Sequence, residues 1–293
     1  MRNFIKYSSL KFRKHEGLCI PRGPSFSSAK KVKVNLLGST LEFHAPKHAP
    51  ASTESIPERK ASRSDYDLDG ITFDEDLMPS ESWKATSIFR RKWAYYGPWF
   101  TGLKGTLSCY IGGIHTAERN QRANFLNPQA FESAVLGFIT ACWGHILYDE
   151  GEPYYRAPLD WEPLTKLPVP AVYFGMESTK IPTYRNKYVF LPISPEKIIY
   201  FSFAYLQSCS GHQAEKDEKI SPKPMQELID NIVGSIRLTL SPETQNIVDE
   251  IRKTCPDLSV SSDCAPLKWP AHVDKDGITI IDYGETLYSE ASS

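Results

Sequence analysis

Acidic residues alternate along Asp65-Tyr66-Asp67-Leu68-Asp69-Gly70-Ile71-Thr72-Phe73-Asp74-Glu75-Asp76. Carboxylates at the first, third and fifth places, glycine at the sixth and a carboxylate at the twelfth are the donor set of a calcium-binding loop. The stretch departs from that set. Asp76 has a shorter arm than glutamate, which makes bidentate capture of the cation harder, and Phe73 fills the ninth place. No amphipathic helix leads in, and Pro79 cuts off one leading out. A solvated acidic turn beside a strand accounts for the same residues, and so does an acidic patch presented to a basic partner.

Other residues with chemical potential do not cluster. Cys209 and His212 are close in sequence and could form a nucleophile–base pair. Such partners are usually distant in sequence, and a buried cysteine beside a loop histidine fits the pattern equally. Pro46 separates His44 from His48, so the two do not share a helix face. Thr101-Gly102-Leu103-Lys104-Gly105-Thr106 has its lysine before the second glycine and lacks the phosphate-loop spacing. Gly112-Gly113 reads as a turn or bulge. No GxSxG, HExxH or metal-type Cys/His spacing occurs, so no catalytic residue, metal ligand or cofactor is assigned.

The densest feature is aromatic: Trp93, Tyr95, Tyr96, Trp99 and Phe100 surround a Gly97-Pro98 break. Such rings pack a strand end into a core. They also anchor protein interfaces, where Trp, Tyr and Arg carry most of the energy. With Arg90, Arg91 and Lys92 alongside, they could stack nucleic-acid bases.

The chain of 293 residues is 41% hydrophobic and 24% charged, an ordinary globular composition. Its 22 prolines favour loops and short strands over long helices. A formal net charge of −1 conceals an asymmetry. Residues 1–64 hold 13 Lys/Arg against 4 Asp/Glu, a net of +9; residues 65–293 carry −10. A basic segment of this kind binds an acidic partner or lies on its own acidic body. The acidic body argues against nucleic acid as partner. Residues 1–20 have scattered lysines and arginine and no apolar core of a signal peptide, and no apolar run is long enough to span a membrane. A cytoplasmic location is expected, with six cysteines that form no CxxC and serve as buried thiols.

The pattern predicts an α+β fold, a largely antiparallel sheet with two or three amphipathic helices packed on it. Residues 1–64 read as a basic leader with a short hairpin over 31–43 and a Pro/Ser-rich linker; residues 65–293 read as the acidic α+β body. Strands are expected at Ser82–Tyr96 and Gly102–Ile114 as a hairpin, then at Ala171–Met176, Tyr188–Ile193 and Lys197–Leu206. The last is apolar on nearly every residue and belongs in the sheet centre, covered on both faces. Asn127-Pro128 and Ser241-Pro242 are cap-plus-proline helix starts. A further helix is expected from Pro222 to Arg237, with Met225, Leu228, Ile229 and Ile232 on one face. Pro153–Pro170 is a Pro-rich stretch, Gly211–Pro224 reads as a charged loop, and Ile278–Ile281 as a last strand.

Three stretches together carry a resemblance: Lys92-Trp93-Ala94-Tyr95-Tyr96-Gly97-Pro98-Trp99-Phe100-Thr101-Gly102, the helix start Asn127-Pro128-Gln129-Ala130-Phe131-Glu132, and the run from Ala157-Pro158-Leu159-Asp160-Trp161 to Leu167-Pro168-Val169-Pro170-Ala171. They resemble the small cytoplasmic immunity proteins encoded beside type VI secretion toxins of Gram-negative bacteria, which serve in bacterial competition. The resemblance covers residues 83–176, weaker onward to 255, and leaves the basic first 64 outside. It implies an inhibitor, not an enzyme, that binds its cognate toxin and occludes or distorts the toxin's active site without catalytic residues or cofactor. A toxin acting in the cytoplasm, nuclease-type, matches the absence of an export signal, and its basic cleft would complement the acidic body. Asp65, Asp67, Asp69, Asp74, Glu75 and Asp76 are then the expected charged contacts, with Tyr96 and Trp99 as anchors. The rivals are a hydrolase with a scattered catalytic set, a secretion adaptor or chaperone, and a nucleic-acid binder acting through the basic leader.

Overall fold

The computed structural model describes residues 17–62, 64–66, 68, 82–98, 101–116, 124–149, 151–180, 185–269, 281–282 and 285–286. Strands β1 (Lys30–Leu36) and β2 (Ser39–Ala45) form the expected hairpin. Leu37 and Gly38 at its tip have φ of 52° and 75°. A two-residue hairpin turn of the twist-matching kind requires positive φ at both. Val32, Val34, Leu36, Leu41 and Phe43 all face inward while the lysines of β1 face out.

The main sheet collects β3 (Trp83–Tyr96), β4 (Leu103–Thr116), β5 (Tyr155–Pro163), β6 (Val172–Ser178), β7 (Arg185–Ser194) and β8 (Lys197–Gln207). Its order is β3-β4-β8-β7-β6-β5 and every neighbour is antiparallel. A strand β9 (Arg237–Thr239) pairs with β2 and makes a second, three-stranded sheet, β1-β2-β9. The helices are α1 (Pro128–Ile139), α2 (Gln213–Lys219), α3 (Lys223–Gly234) and α4 (Pro242–Arg252). The fold is α+β.

Two apolar layers sandwich the main sheet. On one face Ile199, Phe201, Phe203 and Tyr205 of β8 meet the small sheet and the Met225, Leu228, Ile229 and Ile232 stripe of α3. Phe43 sets its ring edge-on against Phe89 and Phe201, with centroids 5.3 Å apart in each case. On the other face Ile198 and Tyr200 meet α1. There Phe138 packs against Trp83 at 5.4 Å and against Phe190 and Tyr200 at 5.8 Å. The continuous apolar run of β8 therefore lies centrally and is covered twice, as its composition requires. Asn127 Oδ1 accepts from the Gln129 and Ala130 amides, and Ser241 Oγ from the Thr244 amide, so both cap-plus-proline starts are real helix starts.

Within the Pro-rich stretch 153–170, Tyr155–Pro163 is an edge strand, where Pro158 and Pro163 are tolerated because one side of the backbone needs no sheet partner. Two expectations need correction. Gly211–Pro224 contains α2, a short polar helix with no side-chain cap. It is held by tertiary bonds: Asp217 accepts from Arg185 Nη2 at 2.6 Å and from Gln207 Nε2 at 2.7 Å. The helix expected to reach Arg237 ends at Gly234, and Arg237 opens β9. Across the boundary placed near residue 64 the core is continuous. The leader's hairpin shares its core with the body and pairs with β9. Of the expected Ile278–Ile281 strand only Ile281 lies within the described residues; Ile281–Asp282 pairs with Glu285–Thr286.

The leader also closes the exposed edge of β3. Arg22 bridges Tyr96, Ala49 bridges Trp93 and Arg59 bridges Arg90. An uncovered edge strand is a template for pairing with other chains, and these bridges occupy it.

Candidate functional site

The aromatic block divides at its end. Trp93 and Tyr95 are buried in the core; the Trp93 indole donates to the Lys47 carbonyl at 2.8 Å. Gly23 lies flat on the Tyr95 ring, where any Cβ would collide with the ring carbons. Tyr96 is instead 44% exposed. The cations beside the block are committed internally. Arg91 pairs with Glu58 at 2.8 Å and donates to the Ala45 and Pro46 carbonyls, and Lys92 pairs with Glu54 at 2.7 Å. Neither is arranged to meet a phosphate backbone.

Leader residues extend the exposed surface around Tyr96. The Arg22 amide donates to the Tyr96 carbonyl at 2.7 Å, and the Tyr96 amide returns a bond to Arg22 at 2.8 Å. The Cys19 amide donates to the Lys219 carbonyl at 2.9 Å, and the Ser221 amide to that of Cys19 at 2.8 Å. Cys19 is thereby drawn inward, and its neighbours Leu18 and Ile20 are left 52% and 63% exposed. Leu18, Ile20 and Tyr96 are three of the five large apolar side chains that stand exposed among the described residues. They sit on backbone fixed from both sides. Nothing in the leader's composition marks Leu18 or Ile20; their exposure follows from the bridge that buries Cys19.

Of the acidic contacts expected from sequence, Asp65 is described. It is exposed, and its Oδ2 accepts a long bond from the Gly38 amide at 3.3 Å, at the tip of the hairpin. The neighbouring Tyr66 hydroxyl donates to the Ile88 carbonyl. Ile88 precedes Tyr96 by roughly 26 Å of strand at ~3.3 Å per residue. Asp65 and Tyr96 are therefore not brought together. Asp67, Asp69, Asp74, Glu75, Asp76 and Trp99 lie outside the described residues.

A concavity of about 310 Å³ opens between the end of β5 with the turn after it, residues 162–167, and the C-terminal turn of α3. Tyr173 on β6 forms part of its wall and donates its hydroxyl to Asp230 Oδ1 at 3.1 Å. Burial, and then the Asp230 carboxylate, push the Tyr173 phenol well above its ordinary range, so it stays a neutral donor. Arg237 caps α3 by donating to the Gly234 and Ile236 carbonyls. Sequence reasoning missed this cleft because its two walls lie some sixty residues apart and no motif joins them.

No family model, curated protein or solved structure matches this chain. The site is therefore read from its own chemistry. No hydrogen bond links Cys209 to His212, and burial raises the Cys209 thiol, opposite to the depression that a nucleophile needs. All six cysteines are free thiols. Among the described residues no three His, Cys, Asp or Glu side chains gather as metal ligands, and no helix is long and apolar enough to cross a membrane.

Proposed function

We propose that this chain is a binding protein that neutralises a secreted antibacterial toxin, docking it on the surface formed by Leu18, Ile20 and Tyr96. The observation that carries the reading is the exposure of these three side chains on hydrogen-bonded backbone. Four backbone hydrogen bonds, of 2.7 to 2.9 Å, fix the segments that bear them. An anchor ordered before binding loses little conformational entropy on association, and tyrosine is among the residues that dominate interface energy. The family resemblance of residues 83–176 supports the immunity assignment. The net charge of −10 on residues 65–293 favours a partner with a basic cleft, as in a nuclease acting in the cytoplasm.

The test is co-expression with the toxin encoded beside this chain's gene, followed by affinity measurement. The wild-type chain should form a complex and protect cells. The double substitution Ile20→Ala with Tyr96→Ala should weaken binding by about 2 kcal/mol or more, some thirtyfold, at unchanged thermal stability. No complex and no protection would sink the proposal. A complex in which the toxin remains active would identify a secretion adaptor instead.

A further inference from the structure

The cleft beside Tyr173 has an unusual lining for so small a space. Its apolar part comes from Leu164, Leu167, Val233 and Ile236. Around it stand two carboxylates, Glu162 and Asp230, and two cations, Lys166 and Arg237. These opposite charges do not neutralise one another. Glu162 and Lys166 make no hydrogen bond or ion pair among the described residues. Asp230 uses Oδ1 for the Tyr173 hydroxyl and leaves Oδ2 without a partner there. Arg237 uses Nη1 for two carbonyls, leaving Nε and Nη2. All four charged residues are exposed, so both signs stand open over an apolar floor.

We infer that this cleft binds a small zwitterion with an apolar side chain, the chemistry of a free aliphatic or aromatic amino acid. The ammonium group lies against Asp230 and Glu162, the carboxylate against Lys166 and Arg237, and the side chain covers the leucines and Val233. The volume of about 310 Å³ stands at the lower end of the ~300–1,000 Å³ range of small-molecule sites, which limits the ligand to few atoms. Tyr173 acts here as a positioning residue: its hydroxyl fixes the Asp230 carboxylate, so one oxygen always remains for the ligand. This site is independent of the Tyr96 surface and does not rest on the toxin reading.

The experiment is titration of the full chain with L-leucine and L-phenylalanine, monitored by calorimetry and by ligand-observed NMR. Isoamylamine, which lacks the carboxylate, and 4-methylvalerate, which lacks the ammonium, serve as controls. Both amino acids should bind at millimolar concentration or below. Each control should be about tenfold weaker, the loss of one charge-assisted hydrogen bond. Asp230→Asn should weaken L-leucine about tenfold and leave 4-methylvalerate unchanged; Lys166→Gln should weaken L-leucine and leave isoamylamine unchanged. Neither substitution touches the core, so both variants should keep the wild-type melting curve. No binding of either amino acid, equal binding of the controls, or binding indifferent to both substitutions would overturn the inference.

Discussion

Replacing Phe43 by alanine tests whether the basic leader is a structural part of the body. Phe43 is completely buried, and both of its ring neighbours, Phe89 and Phe201, belong to the main sheet at 5.3 Å. Truncating a buried phenylalanine costs ~3–5 kcal/mol, and two edge-on ring contacts place this one near ~4 kcal/mol. That is a large share of the ~5–15 kcal/mol that holds a domain together. Urea unfolding followed by tryptophan fluorescence reads the effect, because Trp83 and Trp161 lie in the opposite core layer. With a slope of ~3 kcal/mol per molar, their transition should move down by roughly 1.3 M and coincide with the loss of circular dichroism. An unmoved tryptophan transition, or two separate transitions, would show that the hairpin folds apart from the body and would refute the shared core.

Glu54→Ala should cost about 3 kcal/mol, because it leaves the Lys92 ammonium, 8% exposed, without its counter-ion. Glu54→Leu combined with Lys92→Met should come within about 1 kcal/mol of wild type or exceed it, since Glu54 Oε2 is already buried without a partner. A double variant no better than the single one would contradict this account in the same urea assay. Alkaline pH should unfold the chain. Burial raises the phenols of Tyr95, Tyr188 and Tyr200 above their ordinary value of 10.0. The unfolded chain then releases protons that the folded chain retains. Stability is therefore full below about pH 10 and falls above it, by ~1.4 kcal/mol per pH unit for each tyrosine. Urea midpoints between about pH 9 and 11 check the slope, and a flat profile would exclude the burial of these hydroxyls as its cause.

What could be read from sequence was whatever depends on neighbours within a few residues. Asn127-Pro128 and Ser241-Pro242 declared their helices because a cap bonds two or three residues onward. The apolar run of β8 declared its own double burial. By contrast, α2 has no cap and no apolar stripe; its reason to exist is Asp217 meeting Arg185 and Gln207. Three-residue β9 is a strand only because β2 lies beside it. The same holds for the sites. The aromatic block was conspicuous, but which ring would face outward depended on the Arg22 bridge. The Tyr173 cleft needs residues 162–173 and 230–237 to meet, and neither half signals the other.

Three of the leader's attachments reach about two hundred residues along the chain. The Ser241 amide bonds Ser39 Oγ, the His44 amide bonds Ser235 Oγ, and Cys19 is paired with Ile220. This part of the leader therefore waits for partners made about two hundred residues later. Until then its hairpin has no β9 beside β2, and Leu41 has no Leu238 opposite it. Such long-range closure slows folding and prolongs the time in which nascent strands can pair wrongly. Pausing synthesis before Arg237 should thus leave a chain that holds much of its main sheet yet remains open to proteases across residues 17–62.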